Sequence, residues 1–307
     1  MTVRQHFKTF SKKISNFFYC FSLYLCLAGR HATCDDDLPM QFLVVKQIFA
    51  QQRSPMAFSC CHKNENSIIA NEAPIEIKTM AAANKHVALL LAGCGVYDGS
   101  ECTEAVSMML HLERNGCTFD SFAPNKDVAH TVNHTDGSAS DTPARNVMVE
   151  SARICRGKIQ DVTEFDVDKY DAVVIPGGFG AMKNLCSYAI EGAEKYELDA
   201  GVKKMIEDCL RTKTVLGLSC IAPMLLPKVQ EGLKFTVGKS SGDDFPYAGT
   251  CADAKTLGAD HVECDNQDIV VDEKNLIVTA PAFMQDAGYY AAHVNIGMMV
   301  DKVVSMS

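Results

Sequence analysis

A formal net charge of −9 over 307 residues argues against a protein that binds nucleic acid through a general basic surface. Hydrophobic residues at 47% and charged residues at 22% are typical of a soluble globular protein with a large core. The 14 cysteines are scattered without a C-x-x-C pair, unlike a zinc site or the disulfide framework of a small secreted domain. We therefore expect reduced thiols and no metal.

The first 84 residues differ in charge from the rest of the chain. Residues 1–34 contain five basic residues and no acidic ones, a composition typical of a mitochondrial transit peptide. A secretory signal is the alternative, because an apolar run follows the basic start, although this run is too short to predict a membrane-spanning helix. Residues 31–84 are mostly polar. We predict a targeting leader and a poorly ordered extension over 1–84, and one domain over 85–307.

From residue 85 onward, predicted strands and helices alternate. The strands span 86–92, 118–123, 170–175, 214–219, 233–238, 268–272 and 276–280. The helices span 100–115, 147–155, 199–212, a stretch from 222 onward, 250–258 and 285–304. For the first helix we predict Ser100 as the N-cap and an apolar stripe of Val106, Met109, Leu110 and Leu112. The alternation predicts a doubly wound α/β domain with a mostly parallel sheet and helices on both faces.

Three strand ends carry sequence patterns that suit a ligand site, at residues 93–104, 176–180 and 218–223. Ligands of such sheets bind at the carboxyl ends of the strands, and glycines there let backbone amides approach a ligand. Gly93-x-Gly95 also suggests a dinucleotide fingerprint. Because Asp98 stands where the third glycine of that fingerprint belongs, we expect no nucleotide cofactor.

Cys220 lies at the junction of a predicted strand and a predicted helix. A side chain on such a tight turn projects from the edge of the sheet, and the helix amides behind it favour an anion. We therefore expect Cys220 to be a thiolate at neutral pH and to oxidise ahead of most other cysteines. The alternative is a small buried hydrophobic side chain, the usual role of a free cysteine.

The same strand ends supply the other groups that covalent carbonyl chemistry needs. The backbone amides of Gly177 or Gly178, and of Ile221, are candidate oxyanion donors. A carboxyl group of Glu101 or Glu104 is a candidate proton carrier. Acids are also common in a first helical turn because they complement the helix dipole, so the pattern alone leaves the choice between the two open.

Three segments stand out together: GCGVYDGSECTEA at 93–105, PGGFGAMKN at 176–184 and CIAP at 220–223. In these segments the chain closely resembles the ElbB-type glyoxalase-like family, whose vertebrate members are mitochondrial glutamine amidotransferase-like class 1 domain proteins. The resemblance covers about residues 85–305 and places the chain in the PfpI-type branch of the class I glutamine amidotransferase-like superfamily. It implies a flavodoxin-like fold, Cys220 as the nucleophile and Glu104 as its partner.

The resemblance implies a glyoxalase-like or deglycase-like activity on small reactive dicarbonyls or their adducts, without a cofactor. The alternative is a non-catalytic or redox-sensing mitochondrial protein that retains the nucleophile pocket. We expect no nucleic-acid partner, and we leave a homodimer open.

Two departures from the wider superfamily bear on function. Glutamine amidotransferase activity is the least favoured hypothesis, because the histidine of a Cys-His-Glu triad is not obvious. His261-Val-Glu263 has the form of that motif but comes too early in the chain. Leu218 also stands where a nucleophile-bearing turn usually has a small residue.

Overall fold

The computed structural model of the protein describes residues 84–140 and 144–307. The predicted leader and extension lie outside these residues, apart from Asn84. The strands are β1 (His86–Leu90), β2 (Thr118–Ala123), β3 (Thr131–Val132), β4 (Ala139–Ser140), β5 (Gln160–Asp161), β6 (Ala172–Ile175), β7 (Val215–Ser219), β8 (Lys234–Phe235), β9 (Asp260–His261), β10 (Val270–Asp272) and β11 (Ile277–Ala280). The α-helices are α1 (Cys102–Arg114), α2 (Val147–Ile154), α3 (Tyr188–Glu191), α4 (Ala200–Thr212), α5 (Gly249–Thr256) and α6 (Tyr289–Met306). None of the helices in the two described ranges is long and apolar enough to cross a membrane.

Seven of the described strands form one sheet in the order β10-β11-β7-β6-β1-β2-β5. Neighbouring strands are parallel, except that β10 runs antiparallel to β11. Strand β1 lies between β6 and β2, and its Val87 is paired with Phe119 of β2 on one side and Ala172 of β6 on the other. The predicted doubly wound, flavodoxin-like α/β fold is confirmed.

The central strands are buried on both faces of the sheet. Successive residues of a strand point to opposite faces, yet all residues of β1 from Val87 to Leu90 are 0% exposed. The same is true of β6, from Ala172 to Ile175. Burying a Val or Leu side chain contributes roughly 1.5–3 kcal/mol. Continuous apolar runs, rather than alternating ones, therefore suit a parallel sheet that is covered on both sides.

Helix α1 begins later than predicted and has a different cap. Its N-cap is Glu101, whose carboxylate accepts the N–H of Glu104 at 2.7 Å. The hydroxyl of Ser100 instead accepts the N–H of Ala92 at 2.8 Å, and Ser100 is completely buried. The predicted cap was wrong because Ser100 holds the start of the helix against the end of β1.

The apolar stripe predicted for α1 is wrong in part. Ala105, Met108 and Leu112 are 0% exposed, whereas Val106 and Leu110 are 42% and 52% exposed. The buried positions are three and four residues apart, as the helical period requires. The buried face differs from the predicted one because it includes Ala105. Alanine is too small to stand out in a hydrophobic pattern, but its small side chain allows the helix to pack closely.

Two predicted elements are shorter or tighter than expected. Only Lys234 and Phe235 of the predicted 233–238 strand form a ladder, and they pair with β9 outside the main sheet. The predicted helix after Cys220 is a 3₁₀ helix over Ala222–Lys228 that contains Pro227. A proline inside a helix cannot donate a backbone hydrogen bond, which disfavours a continuous α-helix there.

The carboxyl ends of β1, β6 and β7 lie side by side, because these strands are neighbours in the sheet. The turn after β6 packs on the loop after β1, where the Gly180 N–H donates to Gly99 O at 3.0 Å. A Cβ atom on Gly180 would lie only 2.2 Å from the Cα atom of Gly99. Glycine at position 180 is therefore required for close packing of the two backbones.

We expect the substitution Gly180→Ala to lower the free energy of unfolding by about 1–3 kcal/mol, a typical cost of overpacking. The new methyl group would meet backbone atoms of Gly99, which cannot move aside as a flexible side chain can. Urea unfolding followed by circular dichroism measures the change.

Gly249→Ala is the matched control. Gly180 caps a short helical segment over Ala181–Leu185 and Gly249 begins α5, but a Cβ atom on Gly249 meets nothing within 4 Å. This control should be neutral or stabilising by up to about 1 kcal/mol. Equal unfolding free energies for the two variants would contradict the close approach of the loops.

Candidate active site

Cys220 directly follows β7 in a left-handed backbone conformation, with φ of 58°. Its N–H donates to Ala280 O at 2.9 Å, so pairing with β11 continues up to the turn. Pro223 lies in the first turn of the following 3₁₀ helix. A positive φ is uncommon for a non-glycine residue and is concentrated at functional turns. The structure thus places Cys220 on a sharp strand-to-helix turn.

Glu104 is completely buried in the first turn of α1. Its Oε2 atom accepts the Gly177 N–H at 2.7 Å and the Ser219 hydroxyl at 2.8 Å. Its Oε1 atom has no hydrogen-bond partner among the described residues. One carboxylate oxygen therefore joins α1 to the turn after β6 and to the end of β7, and the other remains available.

Gly177 allows the turn after β6 to pass directly beside the thiol. A Cβ atom on Gly177 would lie 2.6 Å from the Cβ and 3.0 Å from the Sγ of Cys220. The next residue, Gly178, has φ of +94°, and a Cβ atom there would lie 2.5 Å from the backbone nitrogen of Glu101. A side chain at Gly177 would therefore push the turn away from the thiol, and one at Gly178 would push it away from the loop after β1.

Two backbone N–H groups face the sulfur of Cys220, those of Gly178 and Ile221. Both were predicted as oxyanion donors. The third candidate, Gly177, has a different role because its N–H is hydrogen bonded to Glu104. Each of the two donors favours negative charge at or beside the sulfur.

A cavity of about 60 Å³ opens beside Cys220. It is lined by residues from all three strand ends and from two later segments: Val96, Glu101, Gly178, Phe179, Cys220, Ile221, Tyr247, Phe283 and Met284. A larger surface groove of about 560 Å³ lies along α1 and β2 but contains none of these residues. We assign the candidate site to the smaller cavity because it contains the thiol.

No family model matches the chain. The chain is 42% identical over 223 residues to the glutamine amidotransferase-like class 1 domain-containing protein 3, mitochondrial, of Homo sapiens, covering 72% of this chain and 83% of that protein. It is 33% identical over 235 residues to the ES1 protein, mitochondrial, of Danio rerio, covering 73% and 87% respectively. A solved structure is also similar, that of an isoprenoid biosynthesis protein with amidotransferase-like domain from Ehrlichia chaffeensis. It has 31% identity and a TM-score of 0.65 and covers 72% of this chain and 99% of that one.

The chain belongs to the mitochondrial glutamine amidotransferase-like class 1 domain family. This membership confirms the resemblance to glutamine amidotransferase-like class 1 domain proteins that the sequence segments carry. In this member of the family, the three matching segments meet at one edge of the sheet, around Cys220.

Some residues of this family member's site were not singled out from the sequence. Ser219 binds the same oxygen of Glu104 as Gly177 does. Tyr247 lines the cavity and contacts the ring of Phe179 edge-on, with ring centroids 5.7 Å apart. Tyr247 lies in a polar loop without hydrophobic periodicity, so no local pattern could have indicated it.

The His261-Val-Glu263 motif lies away from the cavity, as part of β9 and the residues after it. The Nε2 atom of His261 accepts the Val237 N–H at 3.3 Å, and Glu263 accepts the hydroxyl of Ser240. Both side chains therefore hold the small β8–β9 sheet, and His261 is not the partner of Cys220. Among the residues that line the described cavity there is no histidine.

The surroundings of Glu104 favour its protonated form. Burial raises the pKa of Glu104 to about 7, and the nearby charge of Glu101 acts in the same direction. The hydrogen bonds from Ser219 and Gly177 lower the pKa and partly offset these effects. Near neutral pH the carboxyl group can therefore both accept and release a proton.

The surroundings of Cys220 favour the thiol. Burial raises the pKa of Cys220 well above its ordinary value, and the charge of Glu104 raises it further. The amides of Gly178 and Ile221 act in the opposite direction. The expected thiolate at neutral pH is wrong for the resting site, because burial beside a carboxylate outweighs the two amide dipoles.

The raised pKa of Glu104 predicts a loss of stability as pH rises. Between the ordinary glutamate pKa of 4.5 and the folded value of about 7, the folded state retains a proton that the unfolded state has released. The free energy of unfolding therefore falls across this window, by up to about 3 kcal/mol. We expect Glu104→Gln to remove this component, which urea unfolding at pH 5 and pH 8 measures.

Glu113→Gln is the matched control, because Glu113 lies on the same helix with its side chain exposed. The free energy of unfolding of this variant should depend on pH as that of the wild type does. If wild type and Glu104→Gln lose the same stability between pH 5 and pH 8, the carboxyl group of Glu104 does not titrate in this range.

Proposed function

We propose that this protein is a cysteine-dependent, glyoxalase-like enzyme that acts on small reactive dicarbonyls or their adducts. The observation that carries the proposal is the placement of Cys220. Its sulfur faces two backbone N–H donors and a buried carboxyl group, and it borders a small cavity. A nucleophile, oxyanion donors and a proton carrier are the groups that covalent carbonyl chemistry needs.

In the first step, the sulfur of Cys220 attacks the aldehyde carbon of the dicarbonyl. An S–C bond forms, the π electrons of the carbonyl group move to its oxygen, and the thiol proton passes to Glu104. A pKa of about 7 suits Glu104 to this transfer near neutral pH. The Gly178 and Ile221 N–H groups, which face the sulfur, donate to the oxyanion that develops on the adjacent carbon.

Glu104 then returns the proton to the oxyanion, which gives a hemithioacetal. A carboxylate removes the carbon-bound proton of this hemithioacetal and passes it to the neighbouring carbonyl oxygen, so that an enediol forms. Glu101, which lines the cavity, is our candidate for this carboxylate. The hydroxyl on the former aldehyde carbon then loses its proton to become a carbonyl group, and a proton is added to the neighbouring carbon. The product is a thioester of a 2-hydroxy acid, which water hydrolyses to release the acid and the thiol. The aldehyde carbon is oxidised and the neighbouring carbonyl carbon is reduced, so the net reaction consumes only water.

The size of the cavity supports a small substrate. A volume of about 60 Å³ holds roughly four water-sized groups, comparable to a two-carbon or three-carbon dicarbonyl. The rings of Phe179, Tyr247 and Phe283 form much of its wall. These rings would exclude bulk water while the enediol exists.

We expect Cys220→Ala to abolish the turnover of glyoxal and methylglyoxal, a loss of at least about 10³-fold, because the nucleophile is removed. The measurement is the formation of the 2-hydroxy acid by the purified full chain. Retention of the wild-type rate by this variant would remove Cys220 from the mechanism.

Cys251→Ala is the matched control, because Cys251, like Cys220, is a buried cysteine but lies on α5, outside the cavity. It should keep most of the wild-type activity. If the wild type itself turns over none of several dicarbonyls, the non-catalytic or redox-sensing alternative is favoured.

We also propose a mitochondrial location. The basic, acid-free residues 1–34 support it, as do the names of the human and zebrafish relatives, which both include the word mitochondrial. We expect the protein in a mitochondrial fraction, with a mature N-terminus upstream of Lys85 in N-terminal sequencing. Recovery of a glycosylated form at Asn133, in its Asn-His-Thr acceptor sequence, would instead support the secretory alternative.

A further inference from the structure

Two cysteines near the candidate site differ from the others in exposure. Cys94 and Cys102 are each partly exposed, whereas the other seven cysteines in the described residues are buried. The sulfur atoms of Cys94 and Cys102 lie 3.7 Å apart. Neither residue lines the cavity of Cys220. They therefore form a second group of thiols, separate from the proposed nucleophile.

The loop after β1 holds these two thiols together. The Gly95 N–H donates to Ser100 O at 3.0 Å, and the Ser100 N–H donates to Gly93 O at 3.2 Å. These bonds fold the loop back, so that Cys94 lies beside Cys102, the first residue of α1. A disulfide bond of about 2.05 Å requires the two sulfur atoms to approach by about 1.7 Å from their present distance, a small movement of two side chains.

The two thiols are also electrostatically unequal. The pKa of Cys94 is lowered to about 7, first because of its hydrogen bond with Cys102 and also because of the positive charge of Arg153. Burial and the charges of Glu150 and Asp98 oppose this shift. The pKa of Cys102 is raised, because its proton is held in the hydrogen bond to Cys94. Cys94 is therefore the more nucleophilic partner at neutral pH.

We propose that Cys94 and Cys102 form a peroxide-reactive dithiol that is converted to a disulfide, a modification site distinct from Cys220. In the first step, the sulfur of Cys94 attacks one oxygen of hydrogen peroxide. The O–O bond breaks, and Cys94 becomes a sulfenic acid as the first water forms. In the second step, the sulfur of Cys102 attacks that of Cys94, the S–O bond breaks, and the second water leaves with the proton of Cys102. The two thiols together lose two electrons and two protons, and the peroxide is reduced to two waters.

This site reverses the order of oxidation expected from the sequence. Cys220 is only 6% exposed, and burial beside Glu104 holds it as a thiol. Cys94 and Cys102 combine access to solvent with a partner thiol in contact. Accessible thiols with thiolate character oxidise first, and a neighbouring thiol captures the sulfenic acid.

A titration of the full chain with hydrogen peroxide tests the proposal. Trypsin releases residues 86–114 as one peptide, in which Cys94 and Cys102 are the two cysteines. After blocking of free thiols, disulfide formation makes this peptide lighter by two hydrogen atoms and leaves it without the blocking group until a reductant is added. We expect half-conversion at a peroxide concentration at least about tenfold below that which modifies Cys220. Fragment spectra separate this change from oxygen added to the methionines of the same peptide.

Three variants distinguish the dithiol from general oxidation. Cys102→Ser should leave Cys94 as a sulfenic acid that dimedone traps, and Cys94→Ser should leave Cys102 reduced. Cys117→Ser, which removes a buried thiol just beyond α1, should form the disulfide like the wild type. Oxidation of Cys220 before the 86–114 peptide, or oxidation of that peptide without disulfide formation, would overturn the proposal. The result does not depend on dicarbonyl turnover, so each proposal can fail by itself.

Discussion

The arrangement at the sheet edge depends on one buried carboxyl group. Glu104 accepts hydrogen bonds from Gly177, in the turn after β6, and from Ser219, the last residue of β7, and so joins three segments that are distant in the chain. Burial of an ionised carboxylate without such partners would cost several kcal/mol of folding free energy. The two hydrogen bonds lower this cost, and the raised pKa lowers it further because the carboxyl group is neutral over a wider pH range. The same carboxyl group then stands beside the thiol of Cys220, where a proton carrier is useful.

The resting site therefore favours a thiol at Cys220 rather than a free thiolate. Burial raises the pKa of both Cys220 and Glu104, and the charge on Glu104 further disfavours a charge on Cys220. The amides of Gly178 and Ile221 offset part of this penalty. In the proposed mechanism, this thiol becomes reactive when a carbonyl group enters the cavity, because the carbonyl oxygen then takes up the negative charge.

The glycine-rich loop after β1 connects the two thiol centres. It packs through Gly99 on the turn after β6, and it leads into Glu101, which caps α1 and lines the cavity. The same loop brings Cys94 against Cys102. Gly93 and Gly95, the glycines that resemble a dinucleotide fingerprint, both have a positive φ, and a Cβ atom on Gly93 would lie 3.0 Å from the Cα atom of Gly99.

The sequence by itself determined six of the seven strands of the main sheet, the three strand ends that carry the site, and the turn that presents Cys220. These features follow from local rules, because hydrophobic runs, glycines and a proline act over a few residues. The pattern alone could not choose between Glu101 and Glu104; only the family resemblance favoured Glu104. The hydrogen bonds of Glu104 to residues 73 and 115 positions away, and the pKa values that follow from burial, were decided by the tertiary structure. Such contacts depend on how strands that are far apart in the sequence pack together, and a local sequence pattern cannot predict this packing.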